Sequence, residues 1–317
     1  TNTQSTASSF GNSIASSAGY LIIGNPELGI VDVYNKLTNS KLFTITNPET
    51  SSTLGLFGYS ISVSESYILI GAPGSLSFNS SSNNAGFALY NFSGTLQYKV
   101  SGQLCWTGGY VELNGSNIYI QRVILGSPNR GGIEKRLLSN GSLVNTTTSA
   151  VAFQWQDALL KNFKIASDGN YVIKVTGSAG FKKASDSAII STIVSGVGGQ
   201  VMDLRGWDLI GNKLVYTLVY WDYSSTYWYK IVVYDISTST TNYYAFTSDS
   251  YSGINADVLP QITSVTLVNN RVILANQKAL GIVNNQEQSV YGALNYHILD
   301  SNNNPTGGGH IYPYGTM

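Results

Sequence analysis

His297 and His310 are the only imidazoles in 317 residues, so a histidine-rich metal cluster or a Ser-His-Asp relay would have to be built on one of these two. Neither has the company such chemistry needs. No Gly-x-Ser-x-Gly elbow occurs, and both histidines fall in stretches that read as strand or tail. No catalytic residue is therefore expected. The 17 Asp and Glu side chains could in principle supply two carboxylates flanking a glycosidic bond. Asp157, Asp168, Asp203, Asp208, Asp222 and Asp257 lie nearest the ends of expected strands. Asp in such positions usually forms turns, and no pair among the six stands out. The single Cys105 has no partner for an internal disulfide, so packing must hold the fold.

The densest recognition chemistry lies at Trp221-Asp222-Tyr223-Ser224-Ser225-Thr226-Tyr227-Trp228-Tyr229, which reads as a hairpin with aromatics around its tip. Flat aromatic faces beside hydrogen-bonding groups are what a sugar or a partner protein requires. Trp221, Tyr223, Tyr227, Trp228 and Tyr229 are the ligand-binding candidates, with interblade packing as the competing role for the same rings.

Charged residues make up 11% of the chain, against about 25% in an average soluble protein, and the formal net charge is zero. Without a basic run there is nothing to neutralise phosphates, which excludes a nucleic-acid partner. No window approaches 18 consecutive apolar residues, so no membrane span is expected. Ser, Thr, Asn, Gly and 22 Tyr take the place of the charges, a neutral hydrogen-bonding surface that suits an extracellular protein. The chain opens at Thr1 without a charged-then-apolar leader, which fits a processed mature protein or a trimmed one. Asn79, Asn91, Asn114, Asn140 and Asn145 each begin an Asn-x-Ser/Thr sequon and are candidates for glycosylation if the chain is secreted.

Short β-branched and aromatic runs bounded by Gly, Asn or Ser dominate the chain, and the best helical candidate, Gln156 to Phe163, spans only eight residues. An all-β fold follows. Strands beginning at Tyr20, Tyr67, Asn117, Tyr171, Lys213 and Arg271 each follow a turn signal: Ala18-Gly19, Glu65-Ser66, Gly115-Ser116, Asp168-Gly169-Asn170, Gly211-Asn212 and Asn269-Asn270. The mean spacing of these anchors is about 50 residues, the length of one four-stranded propeller blade. Apolar character on both alternations, as in Val215 to Trp221, suits strands buried on both faces.

Two repeats agree in detail. Phe10-Gly11 and Phe57-Gly58 are each followed, 14 residues after the Phe, by Gly24-Asn25-Pro26 and Gly71-Ala72-Pro73. A fainter echo is Gly126-Ser127-Pro128. The first two repeats, about 90 residues, resemble the FG-GAP repeat of integrin-α-like β-propellers. The resemblance implies one blade per repeat and a role in adhesion or receptor recognition. Calcium loops often accompany the family. The nearest approximation here is Asp300, Asn302 and Asn304, where an Asn-rich turn is the favoured reading and no other cofactor is expected. A sialidase-like propeller would need three arginines from different blades. Of Arg122, Arg130, Arg136, Arg205 and Arg271, three fall in one expected blade.

The expectation is a single all-β propeller domain over residues 1–317, with six four-stranded blades favoured and seven as the alternative. Blade hairpins are expected near 10–24, 57–71, 108–121, 160–175, 203–220 and 261–275. Either Thr3 to Ser9 or His310 to Tyr314 would supply the strand that closes the ring. The expected function is adhesion, receptor or glycan recognition, or structural assembly at a cell or virion surface. The partner would be a surface protein, a glycan or further copies. The alternative is a secreted carbohydrate-active enzyme with acids in a central channel. The scarcity of titrating groups further suggests acid tolerance, and a source at low pH such as a thermoacidophilic archaeon or one of its viruses.

Overall fold

The computed structural model describes residues 9–49, 54–74, 83–104, 106–124, 130–147, 153–154, 163–175, 180–194, 200–221, 227–247, 262–268, 271–283, 286–299 and 305–311. These form six antiparallel sheets, each built from one consecutive stretch of chain. The first contains β1 (Ser13–Ser16), β2 (Tyr20–Asn25), β3 (Ile30–Asn35) and β4 (Lys41–Thr46). The second contains β5 (Ser60–Val63), β6 (Tyr67–Ala72), β7 (Ala85–Asn91) and β8 (Leu96–Gln103). In the third, β9 (Val111–Asn114), β10 (Asn117–Ile124), β11 (Arg130–Leu137) and β12 (Leu143–Thr146) are joined by the short β13 (Phe153–Gln154), which also pairs with β11. The fourth runs β14 (Phe163–Ile165), β15 (Tyr171–Val175), β16 (Gly180–Ala184) and β17 (Ile189–Val194). The fifth is β18 (Gln200–Ile210), β19 (Lys213–Trp221), β20 (Tyr227–Asp235) and β21 (Thr240–Thr247). The sixth is β22 (Ile262–Val268), β23 (Arg271–Val283), β24 (Gln286–Leu299) and β25 (Pro305–Ile311).

The six expected anchors are the first residues of β2, β6, β10, β15, β19 and β23. The first five follow tight connections whose Gly, Asn or Ser can take the turn conformation that strand formers resist, while Asn269-Asn270 lie outside the described residues. Of the segment offered as a helix, only Phe163 is described, and it opens β14. His310 belongs to β25, the fourth strand of the last sheet, while Thr3 to Ser8 lie outside the described residues.

The chain divides into two compact units, and the division falls in the fourth sheet. One unit is Thr1–Ile165 with Tyr171–Thr176 and Lys182–Ser191; the other is Ala166–Asn170, Gly177–Phe181 and Thr192–Met317. In the first unit the second sheet is buried on both faces. Along β6, Ile68 and Ile70 join a cluster with Ile22, Val31 and Val33 of the first sheet. Between them Leu69 points the other way, into a cluster with Val111, Ile118 and Ile120 of the third. A further cluster unites Tyr110, Tyr119 and Ile133 with Phe163 and Tyr171. Each fully buried aliphatic side chain contributes about 1.5–3 kcal/mol, which is why these strands read as unbroken apolar runs. In the second unit Leu214 to Leu218 are buried without alternation, and Phe181 packs 5.0 Å from both Trp207 and Tyr216.

Candidate functional site

The repeated motif acts as a device that docks one sheet on the next. Gly11 and Gly58 sit at φ +85° and +93°, a region that side chains with a Cβ avoid, and their N–H groups donate to the carbonyls of Gly24 and Gly71 at 3.0 and 3.2 Å. Ser13, two residues after the first of these, donates its hydroxyl to the Gly58 carbonyl of the next sheet at 2.7 Å. Ser60 repeats the contact one sheet on, donating to the Gly108 carbonyl at 2.8 Å. A Cβ on Gly24 would lie 2.1 Å from the Gly58 carbonyl oxygen, and one on Gly71 would lie 2.1 Å from that of Gly108. Pro26 and Pro73 follow the last residues of β2 and β6 by one position, where pairing ends. The two phenylalanines differ: Phe57 is fully buried, whereas Phe10 is 39% exposed.

Gly108 identifies a third repeat that the Phe-Gly pattern conceals. Its φ is +88°, and its N–H donates 2.8 Å to Gln121, which stands 13 residues later as Gly24 and Gly71 do after Gly11 and Gly58. Trp106 and Leu56 precede their glycines by two residues, both at positive φ. In the sequence this repeat keeps only its first glycine, because Gln121 stands where Gly24 and Gly71 stand in the other two. Gly126-Ser127-Pro128 lies outside the described residues.

The first strands of neighbouring sheets touch, β5 against β9 and β9 against β14 in one unit and β18 against β22 in the other. The acids described there serve those contacts. Glu112 on β9 accepts the Ile165 N–H at 3.2 Å and the Tyr110 hydroxyl at 3.1 Å. Burial, reinforced by the Glu112 charge, pushes the Tyr110 hydroxyl far above its ordinary pKa. Asp208 on β18 accepts the Thr266 hydroxyl at 2.7 Å and the Leu209 N–H at 2.9 Å. Ser62 plays the same part for the Leu113 N–H at 2.9 Å. Asp168 accepts the Asn170 N–H at 3.0 Å as a turn former. Asp203 is placed by the backbone of β18 opposite Val219. Asp157, Asp222 and Asp257 lie outside the described residues.

Arg122 and Arg136 converge on the buried Glu134, at 3.0 and 2.7 Å. Arg136 also lies 5.6 Å over the Phe87 ring of the second sheet. Arg136 thus joins two sheets, while the Arg122–Glu134 pair lies within the third. His297 pairs with Val272 and Gly308, and His310 with Asn295, both as strand residues.

The aromatic hairpin is placed by its backbone. Trp221 pairs with Tyr227, Tyr220 with Trp228, and Val219 with Tyr229. The positions Trp221, Tyr227 and Tyr229 therefore share one face of the fifth sheet, and Trp228 shares the other with Tyr220. The 222–226 connection, with Tyr223, is outside the described residues.

A second repeated signal went unread in the sequence. Tyr34-Asn35, Tyr90-Asn91 and Tyr234-Asp235 each end the third strand of a sheet, and each Asn or Asp oxygen accepts N–H groups two to four residues on. Asp300 follows β24 directly and occupies the same slot in sequence, although Asp300, Asn302 and Asn304 are outside the described residues. Among the described residues no three His, Cys, Asp or Glu side chains gather as a metal site would need. No helix of the described residues is long and apolar enough to cross a membrane.

No protein-family model matches the chain, and no curated protein sequence matches it. Solved structures do. The chain is similar to a Kuenenia stuttgartiensis hydrazine synthase chain with a TM-score of 0.57 at 9% identity, covering 87% of this chain and 79% of that one. It is also similar to the Myceliophteria thermophila Cps50 (Swd1) β-propeller domain, with a TM-score of 0.52 at 11% identity, covering 90% and 93%. Together with the consecutive four-stranded antiparallel sheets, these likenesses make the fold a β-propeller. At such identities they speak for the fold alone.

Proposed function

We propose that this chain is a binding propeller, displayed on the outside of a cell or on a virion, that recognises a glycan or a surface protein and serves adhesion or assembly. The observation that carries the reading is the employment of Glu112 and Asp208. The acids whose side chains are described on the first strands are committed to hydrogen bonds between neighbouring sheets, so they act as staples where a glycoside hydrolase would keep reactive carboxylates. The neutral Ser, Thr and Asn composition and the FG-GAP-like first two repeats support the same reading. Trp221, Tyr223, Tyr227, Trp228 and Tyr229 are the proposed ligand-binding residues, because aromatic hairpins combine large contact area with hydroxyl groups.

The test is a glycan array and a cell-binding assay with the purified protein, run beside a polysaccharide turnover assay. Binding without turnover is expected, with a loss of at least about tenfold on Trp221→Ala, Trp228→Ala double substitution, the order of one aromatic hot spot. Turnover that persists in the double variant would point instead to a carbohydrate-active enzyme.

A further inference from the structure

The sequence offers five sequons as equals, and the structure separates the four it describes. Asn91 is half-buried, and its side-chain oxygen already accepts the Ser93 N–H, the Ser93 hydroxyl and the Thr95 N–H at 3.1, 2.7 and 2.9 Å. Asn140 is exposed, but its oxygen accepts the Ser142 N–H at 2.9 Å, and the intervening Gly141 is buried against Tyr98. In the Asn145 sequon the third residue, Thr147, is 4% exposed, and its hydroxyl accepts the Ile133 N–H at 2.9 Å. The Asn145 oxygen is itself turned onto the Thr146 N–H at 2.7 Å.

Asn114-Gly115-Ser116 differs at every point. All three residues are exposed, and they form the tight connection from β9 to β10. Among the described residues, neither the Asn114 carboxamide nor the Ser116 hydroxyl has a hydrogen-bond partner. Gly115, at φ +57°, has nothing within 4 Å of where its Cβ would stand. A transferase must surround the acceptor amide and read the hydroxyl two residues on, which needs both groups unengaged and space about the turn.

We propose that Asn114 is the N-glycan acceptor of the folded protein among its described sequons. The donor class is an oligosaccharide carried on a polyprenyl phosphate or diphosphate. The Asn114 Nδ2 forms a bond to the anomeric carbon, the bond from that carbon to the phosphate oxygen breaks, the lipid phosphate leaves with the electron pair, and one amide proton passes to base. In the cell this event rests on the extracellular reading above; the acceptor chemistry does not.

The experiment therefore uses purified folded protein, a purified oligosaccharyltransferase and a lipid-linked oligosaccharide, followed by intact-mass and peptide mass spectrometry. One glycan mass is expected on the peptide containing Asn114. It should disappear in Asn114→Gln and in Ser116→Ala, and persist in Asn91→Gln, Asn140→Gln and Asn145→Gln. Failure to modify the folded chain, when the enzyme glycosylates a Val111–Tyr119 peptide, would overturn the proposal. So would a glycan on Asn91, Asn140 or Asn145. Because no secretion step is involved, a negative result here leaves the localisation reading standing, and retention of the protein inside cells would leave the acceptor assignment standing.

Discussion

The Ser60 hydroxyl donates to the carbonyl of Gly108, 48 residues away in the next sheet, at 2.8 Å, and both residues are buried. Ser13 and Gly58 stand in the same relation one repeat earlier. A short hydroxyl side chain and a glycine thus fasten two sheets at their first strands, and the space between is closed to a further carbon.

Gly71→Ala should be far more damaging than Gly115→Ala. At Gly71 the new Cβ would stand 2.1 Å from the Gly108 carbonyl oxygen and 2.2 Å from the Ser60 hydroxyl, so backbone must shift, at a cost of about 3 kcal/mol. Gly115 has open space, and its φ of +57° costs only about 1 kcal/mol for alanine. Thermal melts of the two variants check the order.

Removing Glu134 should destabilise the protein by about 3 kcal/mol, because two guanidinium groups then lose a buried partner. Its side chain is 4% exposed, with Arg122 at 3.0 Å and Arg136 at 2.7 Å. Arg122→Met should cost less, since Arg122 is 30% exposed and Arg136 remains on the carboxylate. Denaturant unfolding of Glu134→Ala and Arg122→Met measures the difference. Equal costs would mean that Arg136 contributes nothing.

Alkali should unfold the protein before its buried tyrosines ionise. Burial pushes Tyr90 and Tyr98 up to about 12, and raises Tyr110 and Tyr171 further. A folded pKa above the unfolded value of about 10 gives stability that is complete below pH 10 and declines as pH rises towards 12. Tyrosinate absorbance near 295 nm should therefore rise together with loss of the folded circular dichroism signal. A full rise that precedes unfolding would contradict this.

Acid should do much less. Protonating 17 carboxylates leaves 17 Lys and Arg plus two His on 317 residues, roughly half the charge density of an average chain. The Ser237 hydroxyl bond holds the Asp235 carboxyl below its usual range, so its contribution is present above pH 4 and fades as pH falls. That group is only half-buried, and the Asn35 and Asn91 turns do the same work without titrating. The melting temperature should fall by less than about 20 °C between pH 7 and pH 3. A larger fall would show that the few carboxylates carry the stability and would remove the argument for a source at low pH.

Local chemistry alone determined where strands begin. Tyr20, Tyr67, Asn117, Tyr171, Lys213 and Arg271 could be identified because Gly, Asn and Ser take turn conformations, while β-branched and aromatic residues resist them. Apolar character on both alternations of β19 was legible for a similar reason, since a strand without a solvent side has no polar alternation. What the motif glycines do was not legible. Gly71 is required by a carbonyl 37 residues away, and Gly108 joins the series through a φ angle and a 13-residue spacing whose partner, Gln121, is no longer glycine. The difference between Glu112 as a staple and Glu112 as a reactive acid, or between Asn114 and Asn140 as acceptors, lies in which donors the fold brings within hydrogen-bond distance of one oxygen. Residue type and spacing carry no record of that, because those partners are recruited across sheets and turns only when the chain has packed.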